Sequence, residues 1–428
     1  MARGLFFILM LASVFVHAQP RTDARLRMIL DANQDSLFQR VLNHPEEFRY
    51  QIIYTEINRD KKNRPRFKNY YLNVESLAYF NPASTVKLPL AILSLEKLHE
   101  LRKHGLDMHT PMQFDSSRAW HRTLYQDSTS PNGLPSIAHF IRKALLVSDN
   151  DAYNRMYQFV GQQETNRRLQ QMGYTDLRIT RQFMGLTPEQ NRYTNPIRFV
   201  REDRSLIWQQ PEAYNPDPFD FSHINRLGIG YLNAKDSLVN EPIDFTFANN
   251  LTVAHLQGIL QALMFPKDVP ANMRFNLDQQ DLDFLYRYLS QYPSESDDPK
   301  YDTAKFYDSY VKFFFRDESH AMPPQVRVFN KVGWAYGCLT DVSYVADFTN
   351  KVEFILTATI YVNADGILND DKYEYEEVGW PFLYQLGQTI YRYELQRKRT
   401  HRPDLRSFEM KYVPRRQDKR TVIKEVDN

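Results

Sequence analysis

The sequence predicts an α+β protein, an α/β/α sandwich whose antiparallel sheet is built from both chain ends, with an all-helical subdomain inserted between them. Two observations predict it. Runs of β-branched and aromatic residues occur near residues 49–72 and again at 326–362, while the segment between them carries apolar residues at helical spacing. One sheet assembled from the two ends and covered by terminal helices is the economical arrangement, and it leaves a cleft beside the helical part, where ligand sites are common.

The elements follow in order. MARGLFFILMLASVFVHAQP has Arg3, an apolar run from Leu5 to Val16 and a small residue at Ala18. This reads as a secretory leader, residues 1–18, cleaved after Ala18, and as too short to span a bilayer comfortably. Export, to a periplasm, is the expectation, with no stable membrane span in the mature chain. ARLRMILDANQDSLFQRVL (24–42) has helical periodicity, RYQIIYTEIN (49–58) reads as a strand, and FKNYYLN as its hairpin partner after a charged turn. The sheet parts are thus about 24–78 and 326–398, and the helical part about 79–325, all within one domain, 19–398. Helices are predicted over 136–147, 151–160, 251–265 and 280–292, and Pro266 and Pro293 stop the last two. VRVFNKVGWAYG, LTDVSYVADF and KVEFILTATIYVN predict a three-strand meander, closed by an amphipathic helix in EEVGWPFLYQLGQTIYRYEL.

Composition excludes several classes. With 42% hydrophobic and 14% aromatic residues the chain can build a real core, so it is not a disordered protein. A net charge of +2 gives no bulk reason for a nucleic-acid partner. The single cysteine, Cys338, forbids an intrachain disulfide, and the scattered histidines make no metal-ligand pattern, so neither metal nor cofactor is expected. The final 30 residues, 399–428, are basic and poor in apolar residues, and they read as a solvated tail or one that meets an anionic surface.

The stretch YFNPASTVKLPLAILSLEKL (79–98) carries the chemistry. Lys87 follows Ser84 by three residues, so on a helix its amine lies on the same face and can reach the hydroxyl. Its apolar surroundings would lower its pKa and let it act as a base. Downstream, LLVSDNDAYNRM supplies Ser148-Asp149-Asn150 after an apolar helix, and NKVGWAYG supplies Lys331-Val332-Gly333 on a strand.

In order and context these three motifs resemble the Ser-x-x-Lys, Ser-Asp-Asn and Lys-Thr-Gly set of the class A β-lactamases, in the superfamily shared with penicillin-binding DD-peptidases. The likeness spans roughly residues 24–398. It implies an exported serine hydrolase acting on a β-lactam or a peptidoglycan-derived amide, small-molecule substrates in either case. Ser84 would be the acylated nucleophile, Lys87 its proton acceptor, and Ser148 the proton relay to the leaving nitrogen. Asn150 would hold the substrate amide, Asn154 would match a further asparagine of the pattern, and Lys331 would attract the substrate carboxylate. The backbone N–H groups of Ser84 and Trp334 would form the oxyanion hole, with Gly333 keeping the strand edge clear for substrate.

Two departures modify this expectation. Val332 stands where the family has a hydroxyl residue, removing a charge-assisted bond worth about 1.5–3 kcal/mol. The loop RITRQFMGLTPEQNRYTNP (178–196) lacks the family's water-activating glutamate: alternative matches put Thr187 or Phe183 at that position, and Glu189 is the only carboxylate nearby. Without that base an acyl-enzyme hydrolyses slowly, and the protein behaves as a penicillin-binding DD-peptidase-like enzyme or as a binder with impaired turnover. Excess length near 201–245 and 293–315, rich in aromatics, is expected to pack over the cleft as a lid or platform.

Overall fold

A computed structural model of the chain describes residues 21–412 and 421–426. The leader read at residues 1–18 lies outside the described residues. Five antiparallel strands form the main sheet: β1 (Gln51–Arg59), β2 (Pro65–Leu72), β3 (Val326–Ala335), β4 (Cys338–Asp347) and β5 (Val352–Tyr361), in the spatial order β3-β4-β5-β1-β2. The N-terminal hairpin therefore completes a sheet begun by the C-terminal meander, joined where β1 pairs with β5.

Alternation along the strands feeds two cores. Phe329, Val342, Tyr344 and Ile355 point to the helical part, whereas Val328, Val332, Val345 and Phe354 point to the terminal helices. Every residue of β4 is buried, because helices cover both faces. Helices Ala24–Asp31, Ser36–Asn43 and Trp380–Gln396 cover one face through Leu30, Phe38 and Phe382. On the other lies helix Val253–Met264, whose Gln257 bonds Thr357 of β5. The predicted single helix at 24–42 is two helices, because Asn33 and Asp35 turn the chain and the Asp35 carboxylate caps the second at Phe38 N, 2.8 Å away.

Helices Lys87–Leu101, Ile137–Leu146 and Asn150–Val160 make the centre of the helical part. It is not all-helical: Met112–Phe114, Ile197–Val200 and Leu206–Gln210 form a small antiparallel sheet. The long insertions have their own folds. Within 201–245, Gly230–Leu232 pairs with Leu238–Val239 and with Ile367–Leu368 beyond β5. Within 293–315, Lys300–Tyr301 pairs in parallel with Val422–Ile423. Neither insertion contributes a residue to the lining of the cleft that holds Ser84, which corrects the expected lid or platform. Their aromatic rings brace the walls from behind: Phe245 lies 5.0 Å from Tyr336, and Phe313 lies 5.7 Å from Trp334.

The reading of residues 399–428 as a solvated tail is also corrected for its described parts. Leu405 and Phe408 are buried, and the Phe408 ring sits among Phe265, Tyr286, Phe329 and Tyr344 at 4.8–5.9 Å. A few apolar residues in a basic segment are enough to anchor it when the sheet offers an open aromatic pit. Phe408→Ala is expected to cost about 3–5 kcal/mol, read as a fall in the denaturant midpoint. An unchanged midpoint would show that the segment does not belong to the core.

Candidate active site

The segment that carries Ser84 begins as a tight turn. Residues Ala83–Val86 form a 3₁₀ turn that runs directly into helix Lys87–Leu101. Ala83 takes a positive φ of 43°, rare for a residue with a Cβ. The Thr85 hydroxyl and N–H both donate to Pro82 O, at 2.6 and 3.0 Å, which locks the turn. Across the cleft, Ser148 also has a positive φ, 69°, immediately before the Asp149 cap of helix Asn150–Val160. Such backbone costs of order 1–3 kcal/mol and persists only where the surroundings hold it. Here it turns both the carbonyl and the hydroxyl of Ser148 toward Lys87.

Lys87 is fully buried and central. Its Nζ lies 2.7 Å from Ser84 Oγ, 2.7 Å from Asn150 Oδ1 and 3.3 Å from Ser148 Oγ, and it donates to Ser148 O. Burial, reinforced by the Lys331 charge and only partly opposed by Asp149, holds its pKa well below the ordinary lysine value. Two of its neighbours, Asn150 Oδ1 and Ser148 O, are pure acceptors. They take two of its N–H groups, and Ser84 Oγ faces the third position of the amine, where a lone pair stands once the proton is lost.

Lys331 of β3 completes the chain of contacts, with Nζ 2.8 Å from Ser148 Oγ and 2.8 Å from Val332 O. Burial lowers its pKa to about 7, against the pull of Asp341, and Lys312 on the far side of the strand lowers it further. Val332 is fully buried in the opposite core and offers nothing to the cleft.

Gly333 has a different reason from the expected one. A Cβ there would lie 2.6 Å from Pro82 O and 2.9 Å from the amide nitrogens of Ser84 and Thr85. The glycine lets β3 touch the Ser84 turn itself, and this close approach explains it without any substrate. Gly333→Ala is expected to destabilise by about 1–3 kcal/mol and to lower any Ser84 reactivity by moving the turn. Wild-type melting would refute this packing.

The cleft has a volume of about 350 Å³ and is lined by Asn81, Ala83, Ser84, Asn150, Arg181, Phe183, Met184, Ala248, Asn249, Trp334, Ala335 and Tyr336. Among the described residues, no carboxylate lines it. Of the loop positions considered from sequence, Phe183 faces the cleft, its ring centre 5.2 Å from Lys87 Nζ and 4.4 Å from Tyr153. Asn154 holds that residue through its backbone: the Phe183 N–H donates to Asn154 Oδ1 at 2.8 Å. Thr187 and Glu189 lie elsewhere. The Glu189 side chain is 61% exposed, 3.7 Å from Arg192, and does not line the cleft, so its suggested place in the site is corrected. Arg181, Asn249 and Tyr336 were not singled out from the sequence. Arg181 and Tyr336 stand two positions from residues that were, whereas nothing local marks Asn249.

Three side chains elsewhere, His99, Asp278 and Asp281, bring potential metal ligands within 4.8 Å of one another. Arg102 occupies Asp278 at 2.6 Å, and Asp278 and Asp281 cap helix Gln279–Ser290, so the group has a structural explanation.

A family model described as the β-lactamase enzyme family matches residues 38–213. No functionally curated protein matches the chain. Among solved structures, the β-lactamase from Desulfarculus baarsii DSM 2075 is 16% identical, over 88% of this chain and 98% of its own, with a TM-score of 0.46. The β-lactamase from Streptosporangium roseum is 15% identical, over 86% and 99%, with a TM-score of 0.46. A mutant of PBP-A, solved as an acyl-enzyme complex with penicillin G, is 12% identical over 88% and 98%, with a TM-score of 0.45. The matched segment, residues 38–213, is similar to that family and includes Ser84, Lys87 and the Ser148-Asp149-Asn150 turn.

Proposed function

We propose that the protein is an exported serine hydrolase of the class A β-lactamase-like type, forming an acyl-serine at Ser84 with a β-lactam or a related peptidoglycan amide. One observation carries this reading: Ser84, Lys87, Ser148, Asn150 and Lys331, from three separate segments, form one chain of contacts with links of 2.7–2.8 Å at Ser84–Lys87, Lys87–Asn150 and Ser148–Lys331. Such a chain supplies what acyl transfer needs.

Ser84 Oγ attacks the amide carbon and gives its proton to the neutral Lys87. The tetrahedral oxyanion accepts from the backbone N–H groups of Ser84 and Trp334. As the C–N bond breaks, the leaving nitrogen takes a proton from Ser148 Oγ, and the proton that Lys87 took from Ser84 replaces it while Lys331 holds the Ser148 hydroxyl in place. Lys331, charged below about pH 7, also draws the substrate carboxylate. Asn150 holds the substrate amide beside Lys87.

Hydrolysis of the acyl-serine needs a base for water, and among the described residues no carboxylate lines the cleft. This favours a long-lived adduct, the behaviour of a penicillin-binding DD-peptidase-like enzyme or a binder with impaired turnover, over rapid β-lactam hydrolysis. The test mixes the mature protein and its Ser84→Ala variant with benzylpenicillin and a chromogenic cephalosporin, following intact mass and colour together. We expect an adduct on Ser84 that persists, with colour limited to about one equivalent. No adduct would refute the acyl-serine reading, and fast Ser84-dependent colour would refute the slow-deacylation part.

A further inference from the structure

We propose that Arg181 is the specificity residue of this cleft, and that the preferred substrate carries a carboxylate on its acyl part, the part left on Ser84. This rests on the acyl-serine reading for the meaning of "acyl part" alone. Arg181 is partly exposed and lines the cleft, and among the described residues it has no carboxylate partner. Its nearest side-chain contact is a marginal one, Nε to Gln182 O at 3.5 Å. Neighbouring arginines are engaged: Arg192 with Glu189, and Arg178 with Asp220 O at 2.8 Å.

The backbone beneath the Arg181 side chain is fixed. Thr180 and Arg181 donate their N–H groups to Asn249 Oδ1 at 2.8 and 3.0 Å, and Arg181 O accepts from Tyr153 Oη at 2.8 Å. The next two residues are held likewise, Gln182 N–H by Asn191 Oδ1 and Phe183 N–H by Asn154 Oδ1, both at 2.8 Å. Four buried side chains therefore hold a loop whose one charged side chain in the cleft is left unpaired. A guanidinium on a fixed backbone recognises a carboxylate with little ordering cost, through two parallel N–H···O bonds.

Direction follows from the proton path. Ser148 and Lys331 serve the leaving nitrogen and neither lines the cleft, whereas Arg181 and the Asn249 that holds its N–H do, so the acyl substituent is assigned to them. With no acidic residue in the lining, nothing there repels an anion. Val332 contributes no hydroxyl for the substrate's other carboxylate, which gives the second anchor more weight.

The test compares benzylpenicillin with carbenicillin, which is the same molecule with one added side-chain carboxylate. Binding is measured by calorimetry on Ser84→Ala, with and without Arg181→Ala, and acylation by intact mass on proteins that keep Ser84. We expect carbenicillin to bind and acylate about tenfold better than benzylpenicillin. Arg181→Ala should remove that ratio, and Arg181→Lys should keep part of it. Equal handling of the two compounds, a ratio unchanged by Arg181→Ala, or no binding of either would overturn the proposal. A carbenicillin preference in binding with no adduct on Ser84 would refute the acyl-serine reading and leave this one standing. Adducts formed equally fast from both would do the reverse.

Discussion

Lys87→Ala is expected to slow acylation of Ser84 by about 10²–10⁴-fold, the usual contribution of a positioned general base. The lysine is fully buried, its amine is 2.7 Å from Ser84 Oγ, and among the described residues no histidine or carboxylate lines the cleft to take over. Substitution also leaves Asn150 Oδ1 and Ser148 O without their donor, so some loss of stability accompanies it. Lys87→Met, nearer in volume, separates the two effects: a folded protein that no longer acylates assigns the loss to the amine. Acylation at the wild-type rate in either variant, followed by intact mass, would remove Lys87 from the mechanism.

Phe183→Glu is expected to convert a lasting adduct into turnover, raising deacylation by about 10²-fold or more. The position faces the cleft, its backbone is held by Asn154, and its ring lies 5.2 Å from Lys87 Nζ. A carboxylate there would sit near a lysine amine in a cleft whose described lining has no other carboxylate, and water beside Ser84 would acquire a base. The measurement is adduct lifetime by intact mass, with cephalosporin colour as the second signal. An adduct decaying no faster than in the wild type would show that the slow step is not the missing base at this position. Glu189, exposed and directed to Arg192, is expected to contribute nothing on substitution.

How legible the site was depends on the distance between its parts along the chain. Ser84 and Lys87 lie one helical turn apart, so their contact follows from local geometry. Ser148, Asn150 and Lys331 were marked by motif and by the resemblance that the motifs carry. Gly333 was found for the wrong reason, because a sequence shows that a Cβ is absent but not what occupies the space. Glu189 was a search for a carboxylate near a loop, and the loop turns that residue out to solvent.

Periodicity determined the strands, most helices and the assembly of one sheet from both chain ends, since alternation at 2.0 and 3.6 residues is written locally. Only tertiary packing decided the rest. Leu405 and Phe408, two apolar residues in a basic tail, fill a pit made by aromatics from four distant segments. The pKa of Lys87 falls because helix, turn and strand together exclude water around it. Arg181 lines the cleft on a backbone fixed by Asn249 and Tyr153, far from it in sequence, and has no carboxylate partner among the described residues. Local propensity is read residue by residue, whereas burial, desolvation and an arginine left without a partner are properties of what surrounds a residue once the chain has closed.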